Sequence, residues 1–230
     1  TCALPISVYA GSGRGTLTLT SATTGSLSFA FYVIDATHLY LVETDEKAFL
    51  AGDVWSAPAG NSFTTASVAK GNYVFTSGGS PDALPTGAFA SGGVFTSDGS
   101  GNISGGVLDV NNNGVTTLNT TLGTCPYTVD SATGRVDLRL LAGSGTCGAG
   151  ASSSVSEFAV YQTSAGSALM LELDSSAVAT GNAYIQNLAL PAGGNLTSLS
   201  GSFALNLAGQ GINSPFRQDL SGQVGLRRGH

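Results

Sequence analysis

Residues 29–55 read FAFYVIDATHLYLVETDEKAFLAGDVW, and residues 158–184 read FAVYQTSAGSALMLELDSSAVATGNAY. At a constant offset of 129, Phe29 falls on Phe158, Ala30 on Ala159, Tyr32 on Tyr161, Glu43 on Glu172, Asp45 on Asp174 and Gly52 on Gly181. Working outward, Ser12-Gly-Arg-Gly-Thr-Leu-Thr-Leu matches Thr133-Gly-Arg-Val-Asp-Leu-Arg-Leu, and Thr1-Cys2 matches Thr124-Cys125. Between the Arg and the Phe the second copy is eight residues longer, and Cys147 lies in that extra loop. Downstream, Gly71-Asn-Tyr-Val-Phe matches Gly201-Ser-Phe-Ala-Leu, and Ser91-Gly-Gly-Val matches Ser221-Gly-Gln-Val, at an offset of 130. A period of this size is that of a domain with its own core; solenoid units run only about 20–50 residues. The sequence thus divides into the rear part of one repeat (1–66), a complete repeat (67–196) and the front part of another (197–230).

Inside the complete repeat, short alternating runs are punctuated by Gly, Asn, Asp and Ser. Eight strands are expected, over 71–77, 88–97, 102–110, 115–129, 135–141, 156–163, 167–174 and 178–187. Asp98-Gly-Ser-Gly101, Asn111-Asn-Asn-Gly114, Ser131-Ala-Thr-Gly134 and Ser164-Ala-Gly166 connect them. Such pieces are tight reversals, because Asn-Gly and Asp-Gly accept positive φ. The expected fold is all-β: an antiparallel up-and-down meander closing into an eight-stranded barrel, which removes exposed edges. A β-sandwich is the alternative.

Composition agrees. Gly, Ser and Thr make up more than a third of the 230 residues, which disfavours helix at most positions. A hydrophobic content of 42% supplies enough apolar surface to offset chain entropy, so disorder is excluded. No apolar stretch reaches the roughly 18–20 residues of a membrane helix, so no membrane insertion is expected. A net charge of −6 repels phosphate backbones and argues against nucleic acid. The chain starts at Thr1 without a leader, which fits a processed secreted protein or an excerpt of a longer one. Cys125 and Cys147, 22 positions apart, are read as a disulfide of an oxidising compartment, which leaves Cys2 odd.

Several signatures run along the chain: Gly71-x-Tyr73-x-Phe75, Gly93-x-Phe95-x-x-Asp98-Gly-x-Gly-Asn-Ile, Gly105-x-x-x-Asp109-x-Asn111, Tyr127-x-Val129, Gly134-Arg135, and Glu172-x-Asp174 followed by Gly181-x-Ala183-Tyr184. Together they resemble the tandem β-rich repeats, about 130 residues long, of secreted and cell-surface proteins of acidobacterial-type bacteria. The resemblance implies an extracellular β-rich array and brings no enzyme activity and no catalytic residues.

Conventional catalytic constellations are missing from the sequence. His38 and His230 are the only histidines, and neither joins a nucleophile and an acid at motif spacing. His38 is replaced by Ser167 in the second copy and reads as a surface residue. Glu43 with Asp45, and Glu172 with Asp174, place two acids on one side of a strand, too close together to flank a glycosidic bond. The other side, Tyr40, Val42 and Thr44, repeated as Leu169, Leu171 and Leu173, is the expected core face. Asp109-x-Asn111-x-Asn113-Gly114 begins like a calcium loop but has Thr120 where the last acid belongs, so it reads as a turn. No metal site, cofactor or enzyme activity is therefore expected. Trp55 and Tyr184, at matching positions, are the candidate ligand-binding aromatics.

A unit cut across its own period leaves unpaired backbone groups and exposed apolar surface. Residues 1–66 carry net −3 and residues 197–230 net +2, so one chain's tail suits another's head, with Arg217, Arg227 and Arg228 facing Glu43 and Asp45 as assembly residues. The sequence accordingly points to an extracellular structural protein that assembles with copies of itself, head-to-tail, into a filament or surface array by β-strand complementation. The alternative is a carbohydrate-binding or adhesive barrel module of a longer secreted array, with surface glycans as partners.

Overall fold

The computed structural model of the protein describes residues 7–9, 11–21, 25–46, 50–58, 62–81, 87–148, 154–163, 167–175, 177–187, 201–210 and 217–226. The chain forms two compact units, one holding the strands between residues 7 and 55 and the other all strands from residue 71 onward.

In the first unit β1 (Ser7–Val8), β2 (Arg14–Ser21), β3 (Gly25–Val33), β4 (His38–Glu43) and β5 (Ala51–Trp55) form a five-stranded antiparallel sheet in chain order. The Thr-Leu alternation of β2 suits a pleated strand with one apolar face. Leu17 and Leu19 stand opposite Phe29 and Leu27, and Leu41 opposite Phe31, so that face is apolar across three strands. Asp35 shapes the turn after β3: its Oδ1 accepts the Thr37 backbone N–H and the Thr37 hydroxyl, both at 2.7 Å. These bonds, the backbone one foremost, hold the Asp35 carboxyl below the usual carboxylate range.

The second unit contains β6 (Gly71–Pro81), β7 (Phe89–Ser97), β8 (Asn102–Asn112), β9 (Val115–Leu122), β10 (Cys125–Pro126), β11 (Thr128–Val129), β12 (Val136–Leu141), β13 (Val155–Gln162), β14 (Ser167–Glu172) and β15 (Ala177–Ile185). They make one antiparallel sheet of ten strands. In the middle of the sheet β6 pairs with β15, placing Phe75 opposite Ala183 and Ser77 opposite Gly181. The run expected as one strand over 115–129 is three. After Leu122 the chain leaves β8, and Gly123 and Thr124 donate instead to the carbonyls of Leu141 and Gly145. β10 then pairs with β8 and β11 with β12, so five residues touch both sides. Cys125 and Cys147 form a disulfide with their Cα atoms 4.9 Å apart, tying this segment to the loop after β12.

Polar side chains fix the reversals. Asp98 Oδ1 accepts from the Ser100 and Asn102 amides at 2.7 and 3.0 Å. Asn111 Oδ1 accepts from Gly114 N at 2.8 Å, with Asn113 at φ 51° and Gly114 at φ 88°. The calcium-like stretch is thus a hairpin turn, and Asp109 Oδ1 is engaged by the Asn119 amide at 2.7 Å. Asp130 Oδ1 accepts from the Thr133 amide and hydroxyl, both at 2.7 Å.

The core gathers Phe75, Phe95, Ile103, Leu108, Leu122, Tyr127, Leu138, Leu140, Phe158 and Met170, all under a tenth exposed. One expectation is overturned here. Leu171 and Leu173 are 40% and 45% exposed, and Tyr40 and Val42 50% and 45%, while Ala168 and Met170 are buried. The segment Ala168-Leu-Met-Leu is apolar on both faces, so alternation alone does not choose the inner one. Volume does: the Phe75 and Phe158 rings, centroids 6.4 Å apart, fill the interior and leave room for Ala168 and Ala183.

Strand pairing recurs along the chain. Phe29 faces Glu43 and Phe31 faces Leu41; 129 positions later Phe158 faces Glu172 and Val160 faces Met170. Leu41 opposite Gly52 becomes Met170 opposite Gly181. Ser7 opposite Thr16 becomes Thr128 opposite Asp137. Even the bracing bond is the same, with Asp45 Oδ2 accepting from Ser28 N at 2.7 Å and Asp174 Oδ2 from Glu157 N at 3.0 Å.

Last comes a separate two-stranded hairpin of β16 (Gly201–Gln210) and β17 (Arg217–Leu226). Here the match departs from the expectation by one residue: Tyr73 faces Phe95, but Phe203 faces Val224 instead of Gly225. Register is held where one face is buried, and in this hairpin Phe203, Leu207, Leu220 and Val224 are all exposed.

Candidate functional site

On the polar face of the first sheet, cross-strand pairing sets His38 opposite Trp55 and Tyr40 opposite Asp53. The His38 and Trp55 rings stack at 3.7 Å with planes 10° apart, and Tyr40 meets His38 edge-on at 5.2 Å. His38 Nε2 lies 2.6 Å from Asp53 Oδ1, and only 11% of the imidazole side chain is exposed. His38 is therefore not the bare surface residue its sequence context suggested. Its fixed neighbours were hidden because Asp53 and Trp55 lie on the next strand, and only the strand register brings them together. The matching positions of the second unit, Ser167, Asn182 and Tyr184, hold no such cluster, and Tyr184 is 56% exposed.

The acidic pairs serve the fold. Glu43 Oε2 accepts from Leu50 N at 3.0 Å, and Asp45 and Asp174 brace the neighbouring strands as described. Glu172 is 6% exposed and points to the core side, opposite Phe158. Among the described residues no three His, Cys, Asp or Glu side chains cluster as a metal site would require.

A groove of about 880 Å³ runs along β6, β7 and β15 to β16. Ser77, Ser91, Asn111, Thr180 and Asn206 are among its lining residues, and none of its described lining side chains titrates. These side chains offer hydrogen bonds. Tyr73, inside the unit, has its phenol pushed up by burial and donates to Ala69 O at 3.0 Å, a structural bond. Among the described residues no helix is long and apolar enough to cross a membrane.

No protein family, curated protein or solved structure matches this chain. Function must therefore be argued from its own surfaces.

The most unusual surface is a sheet edge. β15 is paired on both sides, by β14 and β6, whereas β5, at the same place in the first sheet, pairs only with β4 among the described residues. The seam between β6 and β15 is very tight. A Cβ on Gly181 would lie 2.0 Å from Thr76 O, and one on Gly79 would lie 1.9 Å from Val178 O. At the matching Gly52 and Gly209 a Cβ would meet nothing within 4 Å among the described residues. Of the proposed assembly residues, Arg217 opens β17 opposite Gln210, while Arg227 and Arg228 lie outside the described residues, as does Cys2.

Proposed function

We propose that this chain is an extracellular structural protein whose part-repeats are completed by strands of neighbouring copies, head-to-tail, giving a filament or surface array. Each completed unit is an eight-stranded up-and-down barrel of about 130 residues, in which the segment around Cys125–Pro126 bridges the sides that β9 leaves apart. One observation carries the reading: the first sheet repeats the pairings of β11–β15 but stops at an edge, with apolar side chains such as Val54 and Leu19 each 37% exposed. Open edges of this kind template further strands unless covered. A partner that supplies the missing strands is heterologous by construction, so repetition yields an open chain of units. The disulfide accords with an oxidising, extracellular setting.

Sedimentation velocity and electron microscopy of the purified 230-residue polypeptide test this. Concentration-dependent oligomers with a regular axial repeat are expected; monodisperse 22.9 kDa particles at all concentrations would refute it.

A second reading, a glycan-binding adhesive module, draws on the stacked His38 and Trp55 beside Tyr40, which is 50% exposed. Glycan-array binding that disappears in Trp55→Ala would favour it.

A further inference from the structure

Gly52 and Gly209 have no local reason to be glycine. Each lies in the body of a strand, where glycine is disfavoured against residues with a side chain to pack. Neither has a positive φ, and no atom of another described residue, chain neighbours aside, lies within 4 Å of either Cβ position. Their counterparts are different. At Gly181 and Gly79 the facing backbone comes so near that any side chain would collide with a carbonyl oxygen, at 2.0 and 1.9 Å. The glycine pattern of a closed seam is thus present on two edges that are open.

We infer that β5 of one copy and β16 of a second copy pair antiparallel in the register of the β15–β6 seam, with Gly52 opposite Leu207 and Val54 opposite Leu205. This inference rests on the proposed head-to-tail assembly and names its contact. Transferred residue by residue, Gly181 opposite Ser77 gives Gly52 opposite Leu207, Ala183 opposite Phe75 gives Val54 opposite Leu205, and Asn182 opposite Thr76 gives Asp53 opposite Asn206. The side chains then sort correctly. Phe75 and Ala183 are each 1% exposed in the closed seam. Val54, 37% exposed, and Leu207, 53% exposed, move to that inner face, while Asp53 and Asn206 stay on the outer one. Because β5 is held by β4, a slip of one residue would turn the incoming β16 over, sending Leu205 and Leu207 outward and the Asn206 amide to the core side, where an unpaired polar group is costly. The second copy is favoured as occupant over an unrelated strand because both halves of this steric pattern are written in the same chain.

The test uses the 230-residue polypeptide in a Cys2→Ser background. Gly52→Val and Gly209→Val are expected to raise the concentration for half-assembly at least about tenfold, as a steric penalty of ordinary overpacking size would. Gly225→Val, on β17 away from the seam, is expected to stay within about twofold. Folding of each variant is checked by its far-ultraviolet circular dichroism, which should be unchanged because the substituted sites are open in the free chain. Chains carrying only Asp53→Cys, mixed with chains carrying only Asn206→Cys, should form a disulfide-linked pair on a non-reducing gel; Asp53→Cys with Leu205→Cys should not. If the parent polypeptide never assembles, the filament reading falls and this contact with it. If the parent assembles while Gly52→Val and Gly209→Val assemble equally well, or the Leu205→Cys pair links instead, the register is wrong and only this inference falls.

Discussion

Leu140 and Leu19 occupy matching places, one on β12 opposite Ser156 and one on β2 opposite Leu27, yet Leu140 is 1% exposed and Leu19 37%. Ala183 on β15 is 1% exposed and Val54 on β5 is 37% exposed. The pairing of the two sheets is the same and their burial is not. Pairing is set by nearby strands: alternation, the turn residues and the Asp45 or Asp174 brace are all supplied within the segment. Burial needs β6–β8, which the second unit has and the first sheet lacks among the described residues.

The widest divergence should appear on truncating core leucines. Leu140→Ala is expected to cost about 2–5 kcal/mol, the range for buried leucine. Leu19→Ala should cost less, about 1 kcal/mol in the unassembled chain, since more than a third of that side chain already faces solvent. Chemical denaturation resolves the two, and equal losses would contradict the distinction. In the assembled state the gap should narrow, because the same leucine then lies inside a completed unit.

Next in size is the disulfide, a feature of one copy alone. Cys125→Ser with Cys147→Ser should lower the stability of the second unit by about 2–5 kcal/mol, read from its melting transition. The first sheet should be untouched, since none of its five strands contains a cysteine.

A third comparison should show no difference. Asp45→Ala and Asp174→Ala each remove a partly buried carboxylate that accepts a backbone amide of the adjoining strand. Each is expected to cost about 1–2 kcal/mol, as for the loss of a capping acid. Parallel losses in amide protection at Ser28 and Glu157 would show that bracing does not depend on β6–β8.

The smallest effect is on pH. Asp98 is held below the usual carboxylate range chiefly by the Asn102 side chain and then by the Asn102 and Ser100 amides, and Asp130 chiefly by Thr133. A lowered folded pKa means stability present above the ordinary carboxylate value, about pH 4, and lost as pH falls through the lowered ones. Asp98→Asn and Asp130→Asn should therefore flatten the acid limb of the stability curve below that point. Their matched positions, Arg228 and Tyr9, carry no carboxylate, so these two contributions have no counterpart there, while Asp35 gives the first sheet one of its own.

Much of this was legible in the sequence because turns and repeats are local facts. Asp98-Gly-Ser-Gly and Asn111-Asn-Asn-Gly mark the reversals, and the offset of 129 survives in the strand register. What alternation did not reveal was which face of Ala168-Leu-Met-Leu points inward, because that depends on the volume already taken by Phe75 and Phe158. The break at Gly123 was hidden for a similar reason, since its partners Leu141 and Gly145 lie beyond the next strand. The His38 stack on Trp55 required knowing that β4 and β5 pair in that register. The steric demand on Gly181 is invisible without its facing strand, although the glycine recurring at Gly52 was already the sign of it.

Amide hydrogen exchange on the assembled protein tests the completed-seam account most directly. Upon assembly, the outward amides of Ala51–Trp55 and of residues 203–209 should slow to the protection seen along β15 and β6. Assembly that leaves both edges exchanging as fast as in the free chain would contradict it.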